Sequence, residues 1–81
     1  MEWVTTKRVS LSASIHRNGY QGSCTLSAIV SGLSHHPTYS QFDIENGDAM
    51  LPDGEYIVVF GMRAVRFRKS GNDWEWVRSS S

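Results

Sequence analysis

Hydrophobic and polar positions alternate with period two through most of this chain, and the alternation is strictest in two places. Residues 9 to 15 set Val9, Leu11, Ala13 and Ile15 against Ser10, Ser12 and Ser14. That is a strand with one buried face, because successive strand side chains point to opposite sides. From Glu55 to Val77 the same period runs through three segments punctuated by Gly61-Met62 and Gly71-Asn72, which predicts a three-strand antiparallel meander.

The turns set the register. With glycine at the first, positive-φ position of a two-residue loop, Gly61-Met62 puts Phe60 opposite Arg63, Val58 opposite Val65 and Tyr56 opposite Phe67. A turn at Gly71-Asn72, counted as those two residues or as the span Ser70 to Asp73, puts Lys69 opposite Trp74, Arg68 opposite Glu75 and Phe67 opposite Trp76. One face then collects Tyr56, Val58, Phe60, Val65, Phe67, Trp74 and Trp76, the expected core. The other carries the row Glu55, Arg68 and Glu75, the row Ile57, Arg66 and Val77, and then Val59 and Ala64.

Asn18-Gly19 marks a further turn. A two-residue loop there pairs Ile15 with Gly22, Ala13 with Cys24, Leu11 with Leu26 and Val9 with Ala28, bringing both apolar sets to one side and predicting a hairpin over 8 to 30. A rival pattern exists. Leu26, Ile29, Val30 and Leu33 fall at helical spacing, with Ser23 as an N-cap and Gly32 and Pro37 as stop signals, which would give an α+β fold with a short helix at 24–33. Ser, Thr, Val, Cys and Gly are weak helix formers, so the strand is favoured. Another strand is expected at 39 to 45 through Phe42 and Ile44.

The expected fold is mainly β, either a small antiparallel barrel or a two-layer β fold, forming one domain over residues 1–81. Ile57 and Val59 distinguish the two. In a two-layer fold segment 24–33 would cover them; in a closed barrel they would lie outside as an exposed apolar spot open to homo-oligomer formation.

Composition adds bounds. Of 81 residues, eight are basic and eight acidic, so no global charge pulls the chain toward nucleic acid or anionic membrane. A chain this short needs its three Trp, three Tyr and three Phe to make a core. The single Cys24 cannot close an intrachain disulfide, which suits a reducing compartment. Residues Met1 to Thr6 lack the character of a signal peptide, and no apolar run approaches the length that spans a bilayer. A soluble, cytoplasmic protein is expected, with Ser79-Ser80-Ser81 as a frayed end.

Two charge clusters are candidate surfaces. Four of the seven residues from Arg63 to Lys69 are basic, namely Arg63, Arg66, Arg68 and Lys69. With Trp74 and Tyr20 they hold the ingredients of a single-strand nucleic-acid surface, where aromatics stack bases and cations hold phosphates. The register weakens it by setting Arg68 between Glu55 and Glu75. The acidic cluster is Asp43, Glu45, Asp48, Asp53 and Glu55. Counted from Asp43, Gly47 is fifth and Glu55 thirteenth, which fails the spacing of a calcium loop, so no metal is expected. An acidic loop can instead engage a basic groove on another protein.

For catalysis the inventory is His16, His35, His36 and Cys24. Cys24 falls on the inward face of the hairpin, where a free cysteine is a small buried hydrophobe. His35-His36 before Pro37 reads as an extended surface loop. No base or oxyanion device can be placed beside any of them, so a metal- or Cys-dependent enzyme is the remotest reading, and no cofactor is expected. The residues match no family motif. The profile is that of a small phage- or mobile-element-type accessory or inhibitor protein that binds a larger protein partner without chemistry. Its contact would run through Asp43, Glu45, Asp48, Asp53, Ile57 and Val59, or through an unpaired strand edge. The alternative is a nucleic-acid-binding β-barrel.

Overall fold

A computed structural model describes residues 3–78, with side chains from Thr6 onward; Met1, Glu2 and the serine tail read above as a frayed end lie outside the described residues. Six strands form one antiparallel sheet: β1 (Trp3–Arg17), β2 (Tyr20–Leu33), β3 (His36–Ile44), β4 (Gly54–Phe60), β5 (Arg63–Ser70) and β6 (Asp73–Val77). Their order is β3-β2-β1-β4-β5-β6. The sheet curls until its two edges meet, with the Phe42 and Trp76 rings edge to face at 4.9 Å. It is a small, nearly closed barrel.

Every predicted cross-strand pair in the meander and the first hairpin occurs. The turns explain why. Asn18 and Gly19 both take positive φ, 33° and 85°, as a type I′ loop requires, whereas Gly61 (57°) and Gly71 (62°) each supply the single positive φ of a Gly-X loop. These geometries match strand twist, so the turn residues and the apolar alternation specify one register.

The helix at 24–33 does not form. That segment lies within β2, where facing β1 buries Cys24, Leu26 and Ala28 on one side. Sheet pairing on a strongly patterned partner overrides the helical spacing of Leu26, Ile29, Val30 and Leu33. Segment 24–33 therefore does not lie over Ile57 and Val59. The hairpin also runs beyond residues 8 to 30, since β1 starts at Trp3 and β2 ends at Leu33.

Strand β3 begins at His36, earlier than the expected residue 39, so only Ser34 and His35 form the connecting turn. His36 and Pro37 pair with Leu33 and Gly32 and are not loop residues. Proline is accepted because β3 ends the hydrogen-bonded order and has a free side. Further along, the β2–β3 ladder slips between Ser27 and Ile29. Gln41 takes φ 53° at this bulge. The extra residue changes the phase of β3, so Tyr39, Phe42 and Ile44 all pack on the core despite unequal spacing.

Ile15, Leu26, Tyr56, Val58 and Phe67 are the fully buried heart of the barrel. Burial of each such side chain contributes about 1.5–3 kcal/mol. Phe60 bridges the two halves, with its ring 5.6 Å from both Tyr39 and Phe42. Residues 45–53 close one end. Glu45 N donates to Thr25 O (2.9 Å), Tyr56 Oη donates to Pro52 O (2.5 Å), and Leu51 packs on the core.

Candidate functional site

The register places two rows that mix apolar with polar and basic residues on the outside of the barrel. His16 of β1 faces Ile57, Ile57 faces Arg66 and Arg66 faces Val77, while Ser14, Val59 and Ala64 form the neighbouring row. Ile57 is 38% exposed although it lies in mid-sheet. Val59 and Val77 are half-buried and Ala64 is exposed. Beside these rows runs a groove of about 690 Å³, lined by Ile57, Ala64, Arg66, Val77 and Arg78 together with Ser40 and Gln41 of β3. A second groove of about 740 Å³ lies between His16, Glu55, Ile57, Arg66 and Arg68.

The basic strand does not make one surface. Alternation turns Arg66 and Arg68 outward, while Arg63 stacks over the Tyr39 ring at 5.3 Å and Lys69 is buried at 3% exposure. Lys69 Nζ donates to Gly71 O and lies 3.7 Å from Asp53 Oδ1. Trp74 packs against Tyr56, 5.2 Å between rings. Tyr20 lies across Gly22, where an added Cβ would collide with its ring. Of the candidate nucleic-acid residues, then, Arg66 and Arg68 alone share the outer face. Their charge is answered differently from the expected row: Glu55 Oε1 meets Arg66 Nε diagonally at 3.7 Å, between half-exposed side chains, although Glu55 stands opposite Arg68 in the ladder.

Comparison with protein-family models, with curated proteins and with solved structures found no match.

The acidic residues are tied into their own chain. Asp43 Oδ1 accepts from Ile44 N (2.9 Å), Glu45 Oε1 accepts from Ser10 Oγ (3.2 Å), and Asp48 Oδ1 accepts from Met50 N (2.9 Å). Asp53 Oδ1 accepts from Gly71 N (3.0 Å) and faces Lys69. These carboxylates shape the end loop; they do not converge. Among the described residues no group of three His, Cys, Asp or Glu side chains could hold a metal ion.

Cys24 is buried, and burial pushes its thiol pKa up. A protonated thiol is a poor nucleophile. Ser14 Oγ and His16 Nε2 share a hydrogen bond of 2.8 Å on the outer face. Among the described hydrogen bonds, no carboxylate orients that imidazole, so the pair lacks the third group a nucleophile–base device needs. Ser40, Gln41, Ala64, Val77 and Arg78 line the groove without having stood out as contact residues in the sequence. The visible signal was the uneven spacing of Tyr39, Phe42 and Ile44, which marks the bulge that brings Gln41 to the groove.

Proposed function

We propose that this protein is a non-enzymatic binding domain that works by occupying a surface on a larger protein partner, in the manner of an accessory or inhibitor protein. The observation that carries the reading is Ile57, a large aliphatic side chain exposed in mid-sheet beside a groove that mixes apolar residues, among them Ala64 and Val77, with two arginines, Arg66 and Arg78. Such a lining fits a partner surface that offers apolar side chains flanked by carboxylates. The lone buried thiol is in keeping with action in a reducing compartment such as the cytoplasm.

A photo-reactive residue at position 57 tests the reading in the source cells. A discrete protein adduct there, absent with the same residue at the exposed position 62, supports it; no adduct, or equal labelling at both, contradicts it. The second reading is single-strand nucleic-acid binding through Arg66 and Arg68, which share the groove that also holds His16. Binding of labelled oligonucleotides that weakens steeply with salt and is lost in Arg66→Glu/Arg68→Glu would favour it over protein binding.

A further inference from the structure

The barrel end at the Asn18-Gly19 turn holds a cavity of about 260 Å³, lined by Arg17, Asn18, Tyr20, Leu51, Pro52 and Tyr56. Alternation explains its walls. Arg17 and Tyr20 pair across the turn and continue the inward-facing sets of β1 and β2 that hold Ile15 and Cys24. Here the strands end, and Leu51 and Pro52 of the end loop stand where further core would be. Tyr20, 39% exposed, stands at the rim. Arg17 is the one charged residue of the lining, and it is fixed. Through Nη1 it donates to Asp53 O (3.1 Å), Pro52 O (3.4 Å) and Tyr56 Oη (3.3 Å), and its guanidinium stands over the Tyr56 ring. All three bonds use one nitrogen. Nε and Nη2 donate to nothing among the described hydrogen bonds, and among the described residues no carboxylate lies within 4.0 Å of them. Asp53 turns only its carbonyl to Arg17, its carboxylate going to Lys69 and to Gly71 N. Because no buried side-chain nitrogen of the described residues lacks a partner, Nε and Nη2 are reached from solvent. A fixed guanidinium with that edge open takes a carboxylate through two parallel N–H···O bonds.

We propose that this cavity binds a free one-ring aromatic carboxylate, with the ring against Tyr20, Leu51 and Pro52 and the carboxylate on the Nε–Nη2 edge of Arg17. Size selects the ligand. A cavity of about 150 Å³ takes benzene, so the 260 Å³ here adds room for a carboxylate but not for a nucleotide or a length of peptide backbone. Charge selects its sign, because a neutral or cationic ligand would cover the guanidinium without answering it. The flat walls of Tyr20 and Pro52 suit a planar ring. The cavity shares no lining residue with the groove beside Ile57, so this site and the protein-binding reading stand or fall separately.

Titration of the unsubstituted chain with benzoate, followed by backbone amide shifts, tests this. Benzoate should saturate, with the shifts centred on Arg17, Tyr20 and Leu51. Acetate, which lacks the ring, and benzyl alcohol, which lacks the charge, should each bind at least about tenfold more weakly, the effect of losing ring burial or a charge-assisted bond. Arg17→Gln should weaken benzoate by a similar factor with its β circular dichroism intact, whereas Arg78→Gln, outside the cavity, should bind as the unsubstituted chain does. If Arg17→Gln does not fold, the comparison of the three ligands decides. Failure to saturate overturns the proposal, as do shifts centred on Ile57, Arg66 and Val77. Acetate or benzyl alcohol binding as well as benzoate, or N-acetylphenylalanine binding more tightly, overturns it too.

Discussion

Lys69 Nζ and Asp53 Oδ1 lie 3.7 Å apart, joining a buried ammonium on β5 to an exposed carboxylate in the end loop. The same carboxylate takes the Gly71 amide, and the same ammonium donates to the Gly71 carbonyl. Loop and hairpin turn are thus fastened by one cluster. Asp53→Ala removes the counter-charge from a buried cation and should destabilise by about 1–3 kcal/mol. Lys69→Met keeps the stem and removes the charge, so it should cost less than Asp53→Ala, and the double variant should recover most of the Asp53→Ala loss. Urea midpoints of the four proteins check this.

Gly54 holds φ 143° with an Arg17 guanidinium nitrogen 2.7 Å from where a Cβ would stand. Arg17 Nη1 donates to Asp53 O (3.1 Å) and the guanidinium sits over the Tyr56 ring at 5.1 Å. Gly54→Ala should therefore both strain the backbone and displace Arg17, at a cost of about 2–3 kcal/mol. Gly61 meets nothing within 4 Å at φ 57°. Gly61→Ala should cost only the left-handed penalty of about 1–2 kcal/mol. Thermal denaturation of the two variants would rank them.

The bulge at Gln41 is strained in the opposite sense. A side chain at φ 53° carries a penalty that glycine avoids, so Gln41→Gly should raise stability by about 0.5–1 kcal/mol after the entropy of the unfolded glycine is subtracted. A fall in the denaturation midpoint would show that the glutamine side chain supports the groove.

Burial raises the Cys24 thiol pKa, so the folded state favours the neutral form. Stability from this group is complete below the ordinary thiol value of about 8.5 and is lost as pH rises through the higher folded value. Cys24→Ala should flatten that alkaline decline. Thiol labelling should be slow in native protein and fast in urea, as followed by absorbance.

Much of the fold was legible because turn chemistry and alternation agree. Asn18-Gly19, Gly61-Met62 and Gly71-Asn72 each specify a register that also brings apolar residues to one face. The start of β3 was hidden because Pro37 reads as a breaker until the strand is known to have a free side. Burial of Lys69 was implicit in its place opposite Trp74, but a charged residue on the core face is readable only once Asp53 and Gly71 stand beside it. The candidate site was partly legible. Ile57 and Val59 were marked by pointing away from the aromatic face, whereas the groove beside them depends on a bulge and on the curl that carries β3 across to β6. Neither is encoded in period-two alternation.

The most direct measurement is capture of a partner by immobilised protein, compared across the unsubstituted chain, Ile57→Asp and Met62→Asp. Met62 is fully exposed in a turn, so Met62→Asp should change folding stability little. Ile57, 38% exposed in mid-strand, should cost about 1 kcal/mol as Asp, and an intact β circular dichroism spectrum checks that Ile57→Asp stays folded. The account predicts stoichiometric recovery of one protein by the unsubstituted chain and by Met62→Asp, with loss in Ile57→Asp. Equal recovery by Ile57→Asp, or no protein recovered by any of the three, would contradict it.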